Sequence, residues 1–253
     1  MLVLGLLAAG QTQAAIPASE RAVLDELYSS THGESWTDNT GWEGPAGSEC
    51  QWLGIDCSAG EEHVTGITLT QNNLVGPFPA IASLTHLQTI DVAINQLTGP
   101  IPTLNTLAEL RFVDAFANQL TGSIPDLAGL RQLAALDVSL NQLSGPIPDL
   151  AGLDELAFFD VMDNRLSGAV PALTGLTQLH FFQIGGNRLS GAAPDPPLPN
   201  NLAPGGSKLC TGLGPDVNRF AATPSGVWDT ATGTTPWFLH CDTETIFADG
   251  YDE

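Results

Sequence analysis

The sequence predicts a right-handed α/β-type solenoid with a parallel concave sheet and a cap at each end. The main observation is a line of sequence, LDVSLNQLSGPIPDL at residues 136–150, that recurs before and after itself with a period of 23 residues. A period of this size with a strand core is typical of stacked repeats, each of which contacts mainly its neighbours. The asparagine of the line keeps this step at Asn72, Asn95, Asn118, Asn141, Asn164 and Asn187.

The first segment, residues 1–15, is predicted to be a secretory signal peptide. Its apolar run of about ten residues is too short to span a bilayer and leads to a candidate cleavage site near Ala14 or Ala15. Basic residues at its start are missing, and an N-terminal core strand is the alternative. No other stretch could cross a membrane, so we expect a secreted or extracellular protein, with the periplasm and the cell surface as variants of that location.

The next segment, residues 16–62, is predicted to cap the first repeat. Residues 19–31 have a helical pattern, in which Ser19 can cap the first turn and Glu20 suits its positive end. An end repeat would otherwise expose the core of the solenoid, so an apolar helix stripe and three tryptophans are expected to cover it. These residues are Val23, Leu24, Leu27, Tyr28, Trp36, Trp42 and Trp52.

The repeats occupy residues 63–198, and each contributes one strand with alternating inward and outward side chains. One predicted inward column is Ile67, Ile90, Val113, Leu136, Phe159 and Phe182. A second is Leu69, Val92, Ala115, Val138, Val161 and Ile184. The asparagines are also expected to face inward, where stacked backbones can satisfy a buried amide.

A C-terminal cap is predicted at residues 199–241, followed by an acidic tail at 242–253. The cap breaks the repeat period and supplies Trp228, Trp237 and Phe238. The cysteines of the chain form two local pairs, and an even count beside a predicted export signal favours two disulfides. They would join Cys50 to Cys57 and Cys210 to Cys241. Zinc is the alternative, but neither pair has the spacing of a zinc knuckle.

The charge of the chain is strongly acidic, with 28 Asp and Glu against 7 Lys and Arg. Nucleic acid and anionic membranes are therefore poor partners, because phosphate binding needs basic side chains. No phosphate loop or nucleophile elbow is present. His180 could approach Asp160, but no nucleophile, base and orienting group converge, so we expect no enzyme, no cofactor and no metal centre.

The repeated line, L-x-x-L-x-L-x-x-N-x-L-x-G-x-x-P over residues 63–198, resembles the plant-type leucine-rich repeat, although several units are one residue shorter than the family's usual 24. The segment LYSSTHGESWTDNTGW resembles the N-terminal cap of bacterial and algal members. The family mostly serves protein recognition. Its plant members include receptor ectodomains and inhibitors of pectin-degrading enzymes, so the resemblance implies binding on the concave face.

A row of aspartates is predicted on that face, one on each of four successive strands. The members are Asp91, Asp114, Asp137 and Asp160. Parallel strands lie about 4.8 Å apart, so these charges repel one another and are expected to raise the pKa of the inner members, Asp114 and Asp137. The row could bind a cation or a basic partner. The alternative is that the aspartates serve solubility and local hydrogen bonds.

An apolar patch is predicted in the two columns that flank the aspartates. It consists of Phe112, Phe116, Phe158, Met162 and Phe181, with His180 and Arg111 beside it. Small residues on the strand between, Ala135 and Ser139, should leave a depression that suits one inserted side chain. Exposed aromatics on a rigid surface are usual binding anchors, and the alternative is that they only pack on one another.

We therefore predict a secreted, monomeric recognition protein that binds a protein or peptide on its concave face. A glycan or cell-wall ligand is the alternative, as is inhibition of a secreted polysaccharide-degrading enzyme. Trp and Tyr are the usual residues for sugar stacking, and the concave columns offer only Phe, which favours a protein partner. A flat adhesive or ice-binding face is a third hypothesis, which the variation of the concave columns disfavours.

Overall fold

The computed structural model describes residues 16–197, 199, 201–210, 216–221, 225–235 and 237. The predicted signal peptide and acidic tail lie outside the described residues, as do Cys241 and Phe238. The described chain is a solenoid whose concave sheet has seven strands, each paired with the next in the order that follows. These strands are β1 Ile55–Cys57, β2 Val64–Thr68, β4 Thr89–Asp91, β6 Phe112–Asp114, β8 Ala135–Asp137, β10 Phe158–Asp160 and β12 Phe181–Gln183.

The concave strands pair in the register that the sequence period predicts. Each residue of β6 lies beside the residue 23 positions later in β8, so Phe112 pairs with Ala135 and Asp114 with Asp137. The same offset joins β2 to β4, β4 to β6, β8 to β10 and β10 to β12, all in parallel. Only the cap strand β1 is antiparallel to its neighbour among these pairs. The predicted solenoid with a parallel concave sheet is confirmed.

A second row of short strands follows the asparagine turn in each repeat. Its strands are β3 Val75–Pro77, β5 Gln96–Pro100, β7 Gln119–Thr121, β9 Ser144–Gly145, β11 Arg165–Gly168, β13 Arg188–Gly191 and β14 Arg219–Phe220. They pair in parallel in two groups, β3–β5–β7 and β9–β11–β13–β14. Each repeat therefore contributes a strand to two faces of the solenoid.

The return segments are built from consecutive tight turns. In one repeat the N–H of Leu107 donates to the carbonyl of Leu104 at 2.9 Å, and the N–H of Leu110 donates to Leu107 at 2.9 Å. Side chains three residues apart lie in line when the chain turns with three residues per turn. The leucines at this spacing are therefore all directed into the core, where they are fully buried. In the described chain, α-helix lies only in the caps.

Both predicted inward columns are buried. Every member, from Ile67 to Phe182 in one and from Leu69 to Ile184 in the other, is at most 4% exposed. Phe159 and Phe182 stack with their ring centroids 5.6 Å apart. The aromatic column continues into the C-terminal cap, where Trp228 lies 6.1 Å from Phe182. The alternation of inward and outward side chains therefore has the predicted register.

The asparagine column forms a ladder that joins neighbouring repeats. The Nδ2 of Asn141 donates to the carbonyls of Ala115, Val138 and Ser139, at 2.9, 3.1 and 3.1 Å. Its Oδ1 accepts the N–H of Leu120 in the preceding repeat at 2.9 Å. The residue before each asparagine is in the left-handed region, with φ of 51° at Leu140, and this turn directs the amide inward.

The N-terminal cap is fastened by buried carboxylates. Helix α1 spans Ala18–Ser30, and the prediction that Ser19 caps it is wrong, because no side chain caps its first turn. Glu20 lies in the first turn, as predicted, and also makes contacts beyond the helix. It is buried and accepts hydrogen bonds from the N–H of Val64, at 2.7 Å, and from His63, at 2.7 Å. The helix is thereby joined to the first repeat strand.

The tryptophans and a disulfide complete this cap. Trp36, Trp42 and Trp52 are buried, with ring centroids 4.8 Å apart between the first two and 5.0 Å between the last two. Two short 3₁₀ turns, Gly33–Ser35 and Glu49–Gln51, carry the chain around them. The predicted disulfide between Cys50 and Cys57 is confirmed.

The C-terminal cap covers the last repeat with residues that do not follow the 23-residue period. Helix α2 spans Gly226–Thr232, and Ser225 caps it by accepting the N–H of Trp228. The indole of Trp228 donates to the carbonyl of Pro194 at 2.9 Å and is buried. Cys210 is buried and disulfide-bonded. The described residues do not include its predicted partner, Cys241.

Candidate functional site

The concave face carries the predicted aromatic patch, but its members differ in exposure. Phe112 is 49% exposed, whereas Phe116, Phe158, Met162 and Phe181 are half-buried. The expectation that all five are exposed is therefore correct only for Phe112. Neighbouring side chains cover the others in part, since Phe158 and Phe181 contact each other with ring centroids 5.7 Å apart.

A hollow of about 340 Å³ lies between two of the phenylalanines. Phe112 and Phe158 stand on strands β6 and β10, and the small side chain of Ala135 lies on β8 between them. The hollow extends across β4 at Thr89 and is bordered by Asp91, Asp114 and Asp137. This volume is near the lower end of the range of about 300–1,000 Å³ typical of ligand pockets.

The rest of the predicted patch lies away from the hollow. Phe116 and Met162 flank the aspartates on the opposite side and do not line it. The predicted depression also does not include Ser139, which is buried and donates its hydroxyl to Asp137 at 2.6 Å. His180 is exposed and contacts the carbonyl of Gln178, so it is not paired with Asp160.

Phe181 is held by the C-terminal cap. A Cβ added at Gly206 would stand 2.7 Å from the ring of Phe181, so only glycine fits at this position without a shift. The N–H of Ala203 also donates to the carbonyl of His180 at 2.8 Å. Phe181 therefore supports Phe158 from behind, and the cap fixes one wall of the hollow.

The predicted aspartate row is present in strand register. Asp91 pairs with Asp114, Asp114 with Asp137, and Asp137 with Asp160. In every case the carboxylate accepts the N–H of the residue two positions later, at 2.9–3.2 Å. The local hydrogen bonds that we considered as the alternative role of the aspartates are therefore present. The acceptor in each of these hydrogen bonds is Oδ1, and the four carboxylates lie on the concave face.

Burial raises the pKa of Asp114, Asp137 and Asp160, and the effect is largest at Asp160, whose pKa rises to about 7. The charges of Asp137, Asp163 and Asp114 add to the rise in the pKa of Asp160, while the N–H of Met162 lowers it. The predicted direction is correct for Asp114 and Asp137. Burial is the largest cause at both, and the predicted crowding, from Asp137 and Asp91, is a smaller cause of the raised pKa of Asp114. The end member Asp160, only 8% exposed, is the most affected.

The sequence does not predict the lysine that extends the line of the aspartates across the concave sheet. Lys208, in the C-terminal cap, bridges to Gln183 in parallel and takes the next place after it. The row therefore ends in an exposed cation rather than in the last repeat. Lys208 follows Gln183 by 25 residues, so the repeat period carries no signal for it.

The solved structures that resemble this chain include plant receptor ectodomains. The chain is 32% identical to a pollen receptor kinase 3 structure, covering 57% of this chain and 72% of that one with a TM-score of 0.51. It is 25% identical to the leucine-rich repeat ectodomain of the receptor kinase SOBIR1 from Arabidopsis thaliana, covering 71% of this chain and 99% of that one with a TM-score of 0.58. The chain belongs to the leucine-rich repeat family.

This chain matches only a part of the length of one larger ectodomain. The leucine-rich repeat ectodomain of GASSHO1/SCHENGEN3 from Arabidopsis thaliana, solved in complex with CASPARIAN STRIP INTEGRITY FACTOR 2, is 26% identical with a TM-score of 0.60. The match covers 69% of this leucine-rich repeat protein and 25% of that ectodomain. No protein-family model and no curated protein matches the chain.

Two features are absent from the described residues of this leucine-rich repeat protein. In the described part of the chain, no group of three or more His, Cys, Asp or Glu residues is arranged to hold a metal ion. Neither described helix has the length and apolar character that crossing a membrane requires.

The raised pKa of Asp160 predicts a pH-dependent stability. The folded pKa, about 7, lies above the unfolded value of about 3.9, so the ionised carboxylate destabilises the fold at neutral pH. This penalty is absent below the unfolded pKa and develops as pH rises through the folded one. We expect Asp160→Asn to raise the melting temperature at pH 8 and to change it little at pH 4.

The amide keeps the acceptor that Met162 uses, which isolates the effect of charge. Thermal melts followed by circular dichroism at both pH values measure the difference. Asp149→Asn, on an exposed return where the carboxylate likewise accepts an N–H two residues later, is the matched control. Equal effects of Asp160→Asn at pH 4 and pH 8 would contradict the assignment.

Proposed function

We propose that this leucine-rich repeat protein is a non-enzymatic, extracellular recognition protein that binds a protein or peptide on its concave face. The observation that carries the proposal is the hollow between Phe112 and Phe158. Aromatic side chains on a rigid sheet bind with little loss of conformational freedom, and buried anchors supply most of the affinity of an interface.

The hollow is lined by parts of the fold that pack directly on the core and on the C-terminal cap. Its floor is the concave sheet, whose opposite side is the buried column that includes Val113 and Leu136. One wall, Phe158, rests on Phe181, which the C-terminal cap holds in place. A site whose walls are fixed before binding loses less free energy in ordering them.

The comparison with GASSHO1/SCHENGEN3 supports the same function. That ectodomain is solved in complex with another molecule, CASPARIAN STRIP INTEGRITY FACTOR 2, and it shares the leucine-rich repeat fold with this chain. The concave columns of this chain carry phenylalanine rather than Trp or Tyr, so a protein or peptide fits them better than a sugar does.

Filling the hollow tests the proposal. Peptides selected from a random display library against the purified chain are expected to bind Ala135→Trp at least tenfold more weakly, because the indole occupies the hollow. Ala128→Trp, on an exposed return, adds the same side chain elsewhere and should leave binding unchanged. Biolayer interferometry with the selected peptides gives both affinities.

Two outcomes would contradict the proposal. One is a library that yields no peptide for the folded chain, and the other is equal binding of the selected peptides to Ala135→Trp and to the native chain. Circular dichroism of each variant confirms that the tryptophan has not unfolded the repeats.

A further inference from the structure

We propose that the hollow is a subsite for one basic side chain, arginine or lysine, of the bound partner. This inference rests on the proposed function, since it names the chemistry of the residue that enters the concave site. It depends on three features of the described residues: the aromatic walls, the carboxylates that border the hollow, and the absence of a cation among those carboxylates.

The walls suit the long stem and the charged head of a basic side chain. Phe112 and Phe158 present rings on either side of Ala135. The methylene groups of arginine or lysine pack against apolar surface while the charged end stays polar. A cation over the face of a phenylalanine is also attracted by its ring.

The carboxylates supply the opposite charge. Asp91, Asp114 and Asp137 line the hollow on three successive strands. Their Oδ1 atoms are occupied by the local N–H groups of Ala93, Phe116 and Ser139, which orients the three side chains alike. A guanidinium has five N–H donors in a fixed fork and can reach more than one carboxylate of such a row.

No basic side chain of the described chain neutralises these carboxylates. Its salt bridges lie elsewhere, joining Arg21 to Glu49 and Arg188 to Asp216, for example. Arg111, which precedes Phe112, donates to Gln132 at 2.9 Å. Lys208 takes its place in the row beyond Asp160 and Gln183, at the far end from Asp91. The hollow is therefore acidic and open to a cation from outside.

Other occupants fit less well. A neutral apolar side chain would desolvate three aspartates without compensating their charge, which costs free energy. A metal ion needs several ligands around one point, and no described group of three or more such residues has that arrangement. A basic side chain satisfies both the rings and the carboxylates.

The test uses two small probes that differ in charge. N-acetyl-arginine amide and N-acetyl-citrulline amide have nearly the same shape, but only the first is cationic. We expect the arginine probe to bind about tenfold more tightly at low salt, through the combined ion pairs and ring contact. NMR titration of the isotope-labelled full chain should show the shifted amides in β4, β6, β8 and β10.

Variants of the row distinguish charge from shape. Asp114→Asn is expected to weaken the arginine probe about threefold to fivefold and to leave the citrulline probe unchanged. Asp149→Asn, outside the concave face, should affect neither probe. Added salt should weaken only the arginine probe, because it screens exposed charges.

The outcomes separate this inference from the proposed function. Equal binding of both probes, or no binding of the arginine probe, would overturn the basic subsite. A second contradicting result would be library peptides that fail to bind Ala135→Trp although they need no Arg or Lys for binding. That result would overturn the basic subsite but leave recognition on the concave face intact. If no selected peptide binds the concave face at all, the proposed function itself is contradicted.

Discussion

Replacing Phe159 with alanine is expected to lower the free energy of unfolding by about 3–5 kcal/mol, the usual cost of removing a buried aromatic side chain. Phe159 is fully buried and stacks on Phe182, which continues the inner column toward the C-terminal cap. The cavity would lie at the contact between two stacked repeats, and these contacts between neighbours hold the solenoid together. Urea denaturation followed by circular dichroism measures the change.

The adjacent residue provides the matched variant. Phe158 stands on the same strand but faces the hollow, so Phe158→Ala should weaken a selected peptide by about 2 kcal/mol, as the loss of a binding anchor does. Its cost to folding should be smaller than that of Phe159→Ala, although not zero, because Phe158 is half-buried and contacts Phe181. If Phe158→Ala unfolds the protein while Phe159→Ala spares it, the inward and outward columns have been exchanged.

Replacing Asn141 with alanine is expected to lower the free energy of unfolding by about 3 kcal/mol or more, because a buried polar group left without a partner costs about 1–3 kcal/mol. The substitution leaves the N–H of Leu120 without its acceptor. It also removes one of the donors to each of the carbonyls of Ala115, Val138 and Ser139. Two neighbouring repeats are affected together.

The control for this variant is Gln119→Ala, in the preceding repeat. Gln119 is exposed on β7, so its loss should change the free energy of unfolding by less than about 0.5 kcal/mol. Equal denaturation midpoints for Asn141→Ala and the native chain would contradict a stabilising role for the ladder. Hydrogen exchange at Leu120 provides a local measurement, since its amide should lose protection first.

Some of the site could be predicted from the sequence, and some could not. The position of Phe112, Phe158 and the aspartates on one face follows from their spacing. The exposure of each phenylalanine does not, because Phe181 is covered by Gly206 from a segment outside the repeat period. The same segment places Lys208 at the end of the aspartate row, where the period has no information.

The caps show a second limit of sequence patterns. Ser19 and Glu20 have the composition of a helix start, but the helix begins one residue earlier and no side chain caps it. Glu20 instead accepts the N–H of Val64, which lies 44 residues away. A contact between residues this far apart depends on how the cap docks, and local propensity cannot predict it.

The sequence by itself determined the repeat, the strand register, the inward columns and the buried asparagines, because each of these depends on contacts between residues one period apart. Tertiary structure decided the shape and electrostatics of the concave site. The hollow exists because Ala135 lies between two aromatic strands, and burial, which no spacing reveals, raises the pKa of Asp160 to about 7. The physical reason is that burial and its effect on charge depend on everything that surrounds a side chain, including the cap that lies outside the repeats.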